Sequence, residues 1–264
     1  LCEKTHTGTG SLSIFAEINY EMWQAKAIPP VHPTAQRRAK TAPVILMVWH
    51  DIVPAKKLVW FDTTVSEFEK QLQQMEKAGA NPISLDTLAS YLTTGSPVPP
   101  PGSVVLCFDD NTVGIYDYAA PRLQKRGWAF AVSAHTAYVG VPTSKKHNTY
   151  AMLKEMEQGG AVIVSQTHTH PPDLTMLNDV ALTKEMRESK KRMEAGLGHP
   201  VPYITYPSGK WNQRVARVAA QAGYRLGLTE DHGFAETSPH LLAVHRYSTH
   251  KRFTEAIRVI QKFT

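Results

Sequence analysis

Residues 165–174 read SQTHTHPPDL, with His168 and His170 separated by one residue, Gln166 in front and a Pro-Pro pair behind. Asp109 and Asp110 follow directly on the apolar run SVVLCF. A carboxylate beside a buried strand needs a cation, a metal or several donors to offset its desolvation, so this Asp-Asp pair marks a first site. Imidazole together with carboxylate suits Zn²⁺, with Co²⁺ or Ni²⁺ as alternatives, and leaves coordination positions for water and substrate. In an extended backbone positions 166, 168 and 170 project to one side. In a helical turn 166 and 170 share a face and 168 turns away. The sequence leaves both geometries open.

The elements that must hold these residues are legible from residue 44 onward. Short apolar runs rich in Val, Ile and aromatics alternate with segments whose apolar residues recur at three and four. Strands are expected at VILMVWH, NPISL, SVVLCF, WAFAVSA, AVIVS, YITY, RLGLT and LLAVHRY. Helices are expected at TTVSEFEKQLQQMEKAGA, YAAPRLQKRG, YAMLKEMEQGG, ALTKEMRESKKRMEAG, NQRVARVAAQAG and FTEAIRVIQKF. In the first helix Val65, Phe68, Leu72 and Met75 form one stripe, Ser66 and Glu69 have capping-box spacing, and Gly79 supplies the stop. Continuous apolar strands, most of them followed by a helix, imply parallel connections. The expected fold is α/β, a distorted (β/α) barrel of about seven parallel strands. His50, Asp51, Asp109, Asp110, Gln166, His168, His170, Ser208, His245 and Arg246 all stand at or just past the ends of apolar runs, and in such a barrel those ends converge on one face.

The 264 residues, 42% of them hydrophobic, suffice for one large core. Residues 1–43 read as an N-terminal tail and linker, with a helix expected in LSIFAEINYEMWQA and prolines in IPPVHPTAQRRAKTAP that interrupt regular structure. The domain then spans residues 44–264. The net charge is +6, but the basic runs QRRAK and SKKR lack interleaved aromatics, so no nucleic-acid partner is expected. Cys2 and Cys107 support neither a disulfide framework nor a thiolate zinc site. No apolar run reaches the length of a membrane span, and the opening Leu1 and Cys2 would fit the junction left by a lipoprotein leader.

Taken together, CFDD, SQTHTHPPDL, TYPSGKWN and AGYRLGLT resemble the motifs of polysaccharide deacetylases with the NodB homology domain, carbohydrate esterase family 4, over Pro43 to Phe263. MVWHDI is similar to an early segment of the biofilm poly-β-1,6-N-acetylglucosamine deacetylases. The resemblance implies a metal-dependent hydrolase that removes N-acetyl groups from a polysaccharide, with Asp109 as general base, Asp110 and His170 as metal ligands, and Gln166 at the remaining ligand position. It further implies His50 as general acid, with His245 as a second candidate, and the Ser208 amide in an oxyanion hole. Arg246 is a candidate to orient Asp109, and Trp49, Tyr206 and Trp211 are candidates to stack on sugar rings.

Four departures stand out. Gln166 replaces an imidazole, Thr205 stands where the family has an arginine, Ser208 replaces the family's tyrosine at the oxyanion-hole position, and DDNT replaces DDG. Three states follow for the metal: Gln166 ligates through oxygen, His168 replaces it, or the site binds metal poorly and the protein is a glycan-binding pseudo-deacetylase. Peptidoglycan or chitin are rival substrates. The family implies an extracytoplasmic protein, secreted or envelope-associated, and a monomer is expected.

Overall fold

A computed structural model describes residues 28–264. The helix expected within residues 12–25 lies outside the described residues.

Ten strands and eight α-helices occur among the described residues. The strands are β1 (Ile45–Trp49), β2 (Ile52–Val53), β3 (Thr63–Thr64), β4 (Asn81–Pro82), β5 (Ser103–Phe108), β6 (Phe130–Ala134), β7 (Ala161–Ser165), β8 (Tyr203–Thr205), β9 (Leu226–Leu228) and β10 (Tyr247–Ser248). Seven of them run parallel in the order β10-β1-β5-β6-β7-β8-β9, and β4 adds to the start of β5. This is the distorted seven-stranded barrel expected from the sequence. Strand β9 is joined to the segment ahead of β10 by an isolated parallel bridge, Leu228 to Val244.

The strands are Val- and Ile-rich because both their faces are covered. Met47, Trp49, Leu106, Phe108 and Val132 pack outward against helices. Leu46, Val48, Val105, Cys107 and Val164 pack on the opposite side with Leu88 and Leu92.

The helices are α1 (Pro33–Arg38), α2 (Val65–Lys77), α3 (Leu85–Thr94), α4 (Ala120–Lys125), α5 (Tyr150–Gln158), α6 (Asp179–Leu197), α7 (Gln213–Gln221) and α8 (Thr249–Phe263). A five-residue π-helical turn, Ile115–Ala119, leads into α4.

Several local expectations are corrected. The capping box of α2 is Thr64 with Glu67, not Ser66 with Glu69: Thr64 Oγ1 accepts the Glu67 N–H at 3.2 Å and Glu67 accepts the Thr64 N–H at 2.9 Å. Glu69 is instead ion-paired with Arg126. The strand expected over NPISL stops at Pro82, because Ser84 Oγ accepts the Thr87 N–H and starts α3, a helix the sequence reading missed. Of LLAVHRY only Tyr247 lies in a strand; Leu241 to Val244 are buried, and Val244 meets the sheet through its isolated bridge to Leu228.

Residues 28–43 are packed onto the domain. Val31 and Ala35 are buried, the His32 N–H donates to the Leu92 carbonyl, and the Leu241 N–H donates to the Pro29 carbonyl. Pro33 opens α1 at its first position, where a missing N–H costs nothing. No helix among the described residues is long and apolar enough to cross a membrane.

Candidate active site

The C-terminal ends of β1, β5, β6, β7 and β8 meet at one face of the barrel. All five non-glycine residues with positive φ among the described residues lie in its loops: Asp110, Asn111, Thr167, His170 and Ser208. Backbone held in this sparsely populated region concentrates where a fold fixes functional side chains. Asn111 shows how the chain manages without a glycine after the Asp-Asp pair. Asparagine tolerates φ of 53°, and its side chain exchanges hydrogen bonds with Asn148, tying the loop down.

Asp109 is buried, and Arg246 approaches it with two parallel bonds, Nη1 to Oδ1 at 3.0 Å and Nη2 to Oδ2 at 2.8 Å. Arg246 Nε donates in turn to the Thr229 carbonyl at 2.6 Å, which fixes the guanidinium plane. Burial works to raise the Asp109 carboxyl, but the Arg246 charge and its hydrogen bonds override this and hold it below the usual carboxylate range. The family's third-motif arginine is absent, and Thr205 at its place shares a hydroxyl contact of 2.8 Å with Ser133. One ligand-type atom each from His50, Asp109 and Glu230 lie within 4.8 Å of one another, so an imidazole and a second carboxylate flank the Asp109–Arg246 pair.

Asp110 and His170 stand beside this pair, with 3.6 Å between Asp110 Oδ1 and His170 Nε2. The loop carrying His170 is shaped by Glu185 of α6, which accepts the N–H groups of His168 and Thr169 and the Thr169 hydroxyl. The sequence reading missed Glu185, since a glutamate on an amphipathic helix gives no sign of facing inward. His168 Nδ1 is 2.9 Å from the Thr136 hydroxyl, so its ring is engaged away from Asp110.

A further residue joins the group. His135, just past β6, places a ring nitrogen within 4.8 Å of both the Asp110 carboxylate and a His170 nitrogen. Burial first, and the nearby His170 second, push its pKa down to about 4, leaving it neutral near pH 7 and able to offer a lone pair. One carboxylate and two imidazoles are a donor set that fits a divalent first-row cation.

Two openings flank these groups. One, of about 290 Å³, is lined by His50, Asp109, Trp60, Ser208 and Lys251; the other, of about 360 Å³, by His135, Tyr138, Lys145 and His147. Asp110, His170 and Phe61 line both. The loop between β2 and β3 carries Trp60 and Phe61 and is tied by Lys145 Nζ, which sits 2.6 Å from Asp62 and 3.0 Å from Asp51.

The aromatic candidates are redistributed. Trp49 is a core residue, 1% exposed, with its Nε1 donating to Gln71; Tyr206 lines the cleft from below, also 1% exposed, with its hydroxyl donating to the Leu242 carbonyl. Trp211 donates to Asp231 and packs beside His240, and it does not line the cleft. Trp60 is the open ring, 66% exposed, with Lys251 Nζ 5.3 Å from its centroid and His250 edge-on at 4.6 Å. His245 also lies off the cleft, its N–H donating to Ser238.

Residues 97–227 match the family described as polysaccharide deacetylase. The chain carries a polysaccharide deacetylase domain. It is 28% identical over 207 residues to YxkH of Bacillus subtilis (strain 168), which carries a polysaccharide-deacetylase name; the match covers 78% of this chain and 71% of that protein. Among solved structures it is similar to the Streptococcus pyogenes deacetylase PplD in complex with acetate (24% identity, TM-score 0.70, 82% of this chain and 98% of that one). It is also similar to IcaB from Ammonifex degensii (19% identity, TM-score 0.72, 83% of this chain and 97% of that one). Both likenesses show the shared fold.

Proposed function

We propose that this polysaccharide deacetylase domain hydrolyses N-acetyl groups of an N-acetylglucosamine polysaccharide, giving acetate and a free amine. The carrying observation is a buried carboxylate, Asp109, held ionised and oriented by Arg246 beside the Asp110–His170 pair at an open cleft.

Asp110 and His170 are two residues that would hold a divalent cation, which when bound polarises the acetyl carbonyl and acidifies water. Asp109 accepts the proton of the attacking water, its carboxylate retaining lone pairs beyond the two that Arg246 engages. The Ser208 amide, in the cleft wall on a turn with φ of 52°, donates to the carbonyl oxygen as negative charge develops there. His50, on the same wall, delivers a proton to the departing amine. Acetate is the product of this reaction, and PplD, which shares the fold, is described in complex with it.

A β-1,6-linked polymer is the proposed substrate because MVWHDI, whose His50 lines the cleft, resembles the early segment of the biofilm poly-β-1,6-N-acetylglucosamine deacetylases; peptidoglycan and chitin present the same acetamide. Such substrates put the protein in the cell envelope or outside the cell. The Gln166 amide nitrogen, 3.0 Å from Asp110 Oδ1, favours a second reading, glycan binding without turnover.

The test is acetate release from β-1,6- and β-1,4-linked N-acetylglucosamine oligomers by protein supplied with Zn²⁺, Co²⁺ or Ni²⁺. The parent should release acetate and Asp109→Asn none. Parent protein that binds the oligomers yet holds no metal and releases no acetate would establish the second reading instead.

A further inference from the structure

We infer that the third protein ligand of the metal site is His135, and that Gln166, at the position where the family motif has an imidazole, is a positioning residue that does not touch the ion. This deepens the proposed function, on which it rests only for the premise that a metal is used.

The hydrogen bonds of Gln166 fix which end of its amide faces the cluster. Its Oε1 accepts the backbone N–H of Asp110 at 2.9 Å, and its Nε2 lies 3.0 Å from Asp110 Oδ1 and 3.2 Å from His170 Nε2. Exchanging oxygen and nitrogen would set a carbonyl against a carboxylate and an NH₂ against an N–H, losing both bonds to Asp110. So the amide nitrogen is the end turned toward Asp110 and His170, and that nitrogen has no free lone pair to give a cation. The oxygen, the only donor atom of glutamine, is committed to a backbone N–H 56 residues away in sequence. Two-point bonding to Asp110 also explains how that residue is held at φ of 71°.

His168, the other replacement considered from the sequence, is engaged with Thr136 and is absent from the residues lining either opening.

His135 meets the requirements that both lack. In the sheet β6 lies between β5, which leads to Asp110, and β7, which leads to His170. A residue just past β6 therefore reaches the same face of the barrel as the other two ligands. Its ring centroid is 5.1 Å from that of His170, and its Nδ1 is buried with no hydrogen-bond partner among the described residues. Donors around one tetrahedral zinc ion sit about 3.4 Å apart. The three candidate atoms, all within 4.8 Å of one another and with one pair at 3.6 Å, reach that spacing by small side-chain rotations. Asp110, His135 and His170 also line one shared opening, so a fourth position faces solvent and substrate.

The assignment is tested by zinc titration of chelator-treated protein, without any glycan, followed by Co²⁺ absorption spectra. The variants are His135→Asn, Gln166→Ala and His168→Ala, with thermal unfolding of the metal-free proteins as the check on folding. Parent protein should bind one Zn²⁺ per chain. His135→Asn should lose roughly 1000-fold or more in affinity and alter the Co²⁺ bands, as removal of a ligand does. Gln166→Ala should lose about 10- to 100-fold, the range for residues that orient a ligand, and keep the parent's Co²⁺ bands. His168→Ala should match the parent.

If folded His135→Asn binds zinc within about tenfold of the parent, or if Gln166→Ala changes the Co²⁺ bands and loses more affinity than His135→Asn, the assignment is overturned. Parent protein that binds no zinc overturns it as well. Zinc bound through His135 without acetate release leaves the ligand assignment standing and defeats only the proposed activity.

Discussion

Arg246 and Asp109, 137 residues apart in sequence, form a buried two-point ion pair in which both guanidinium nitrogens reach the carboxylate within 3.0 Å. The pair is 1% and 3% exposed at its side chains, so neither charge has water to fall back on. Removing one partner of such a pair costs about 3–5 kcal/mol, because the other is left charged and desolvated. Arg246→Met is expected to lower unfolding free energy by that amount and to abolish acetate release. Asp109→Gly should destabilise similarly, whereas Asp109→Asn, which keeps acceptor geometry for one guanidinium nitrogen, should lose activity with a smaller stability change. Denaturant unfolding beside acetate assays separates the two effects. A stable and fully active Arg246→Met would remove Asp109 from the role of base.

Trp60 stands open at the cleft rim, whereas Trp49 is spent in the core and Tyr206 lies beneath the cleft with only 1% of its surface exposed. Trp60→Ala should raise KM for oligomers several-fold, leave kcat nearly unchanged, and alter stability by no more than about 0.5 kcal/mol, as for exposed residues generally. Trp211→Ala is the comparison, since its indole bonds Asp231 away from the cleft. Equal KM values for parent and Trp60→Ala would show that sugar rings do not lie on this face.

Glu236 is a buried carboxylate whose two oxygens accept the Val44 N–H at the start of β1, at 3.0 and 3.1 Å. Burial raises its pKa from 4.5 to about 7, more than its hydrogen bonds and the charge of Arg38 lower it. A folded-state pKa above the unfolded one means the folded protein binds this proton more tightly. Its contribution is therefore complete below about pH 4.5 and is lost as pH rises through about 7, up to roughly 3 kcal/mol. Glu236→Gln removes the titration and keeps an acceptor for Val44. Its melting temperature should exceed the parent's at pH 8 and approach it near pH 5. Parallel curves for the two proteins across that range would contradict the assignment.

Helix α2 begins at Thr64. Thr64→Ala should cost about 1 kcal/mol, the ordinary value of an N-cap, while Ser66→Ala should stay within about 0.5 kcal/mol. The opposite ranking in urea unfolding would restore the capping box expected from the sequence alone.

That helix shows how sequence and structure divided the information. Val65, Phe68, Leu72 and Met75 made its buried stripe legible, because apolar spacing reports periodicity directly. Two overlapping pairs had capping spacing, and only the entry angle set by β3 selected Thr64 with Glu67. NPISL failed for a related reason: short apolar runs fit a strand or a helix end equally well, and the Ser84 cap decided it.

The sequence by itself determined the parallel barrel, the Asp109–Asp110 pair at a strand end and the segment containing His170, since each is written in residues close together in the chain. It could not determine that His135 joins Asp110 and His170, that Glu185 shapes their loop, or that Gln166 turns its nitrogen rather than its oxygen toward them. Those facts depend on β6 lying between β5 and β7 and on which backbone N–H lacks an acceptor. Strand order and the pairing of buried polar groups are settled only when the whole sheet closes, because each is a relation between segments that no local pattern encodes.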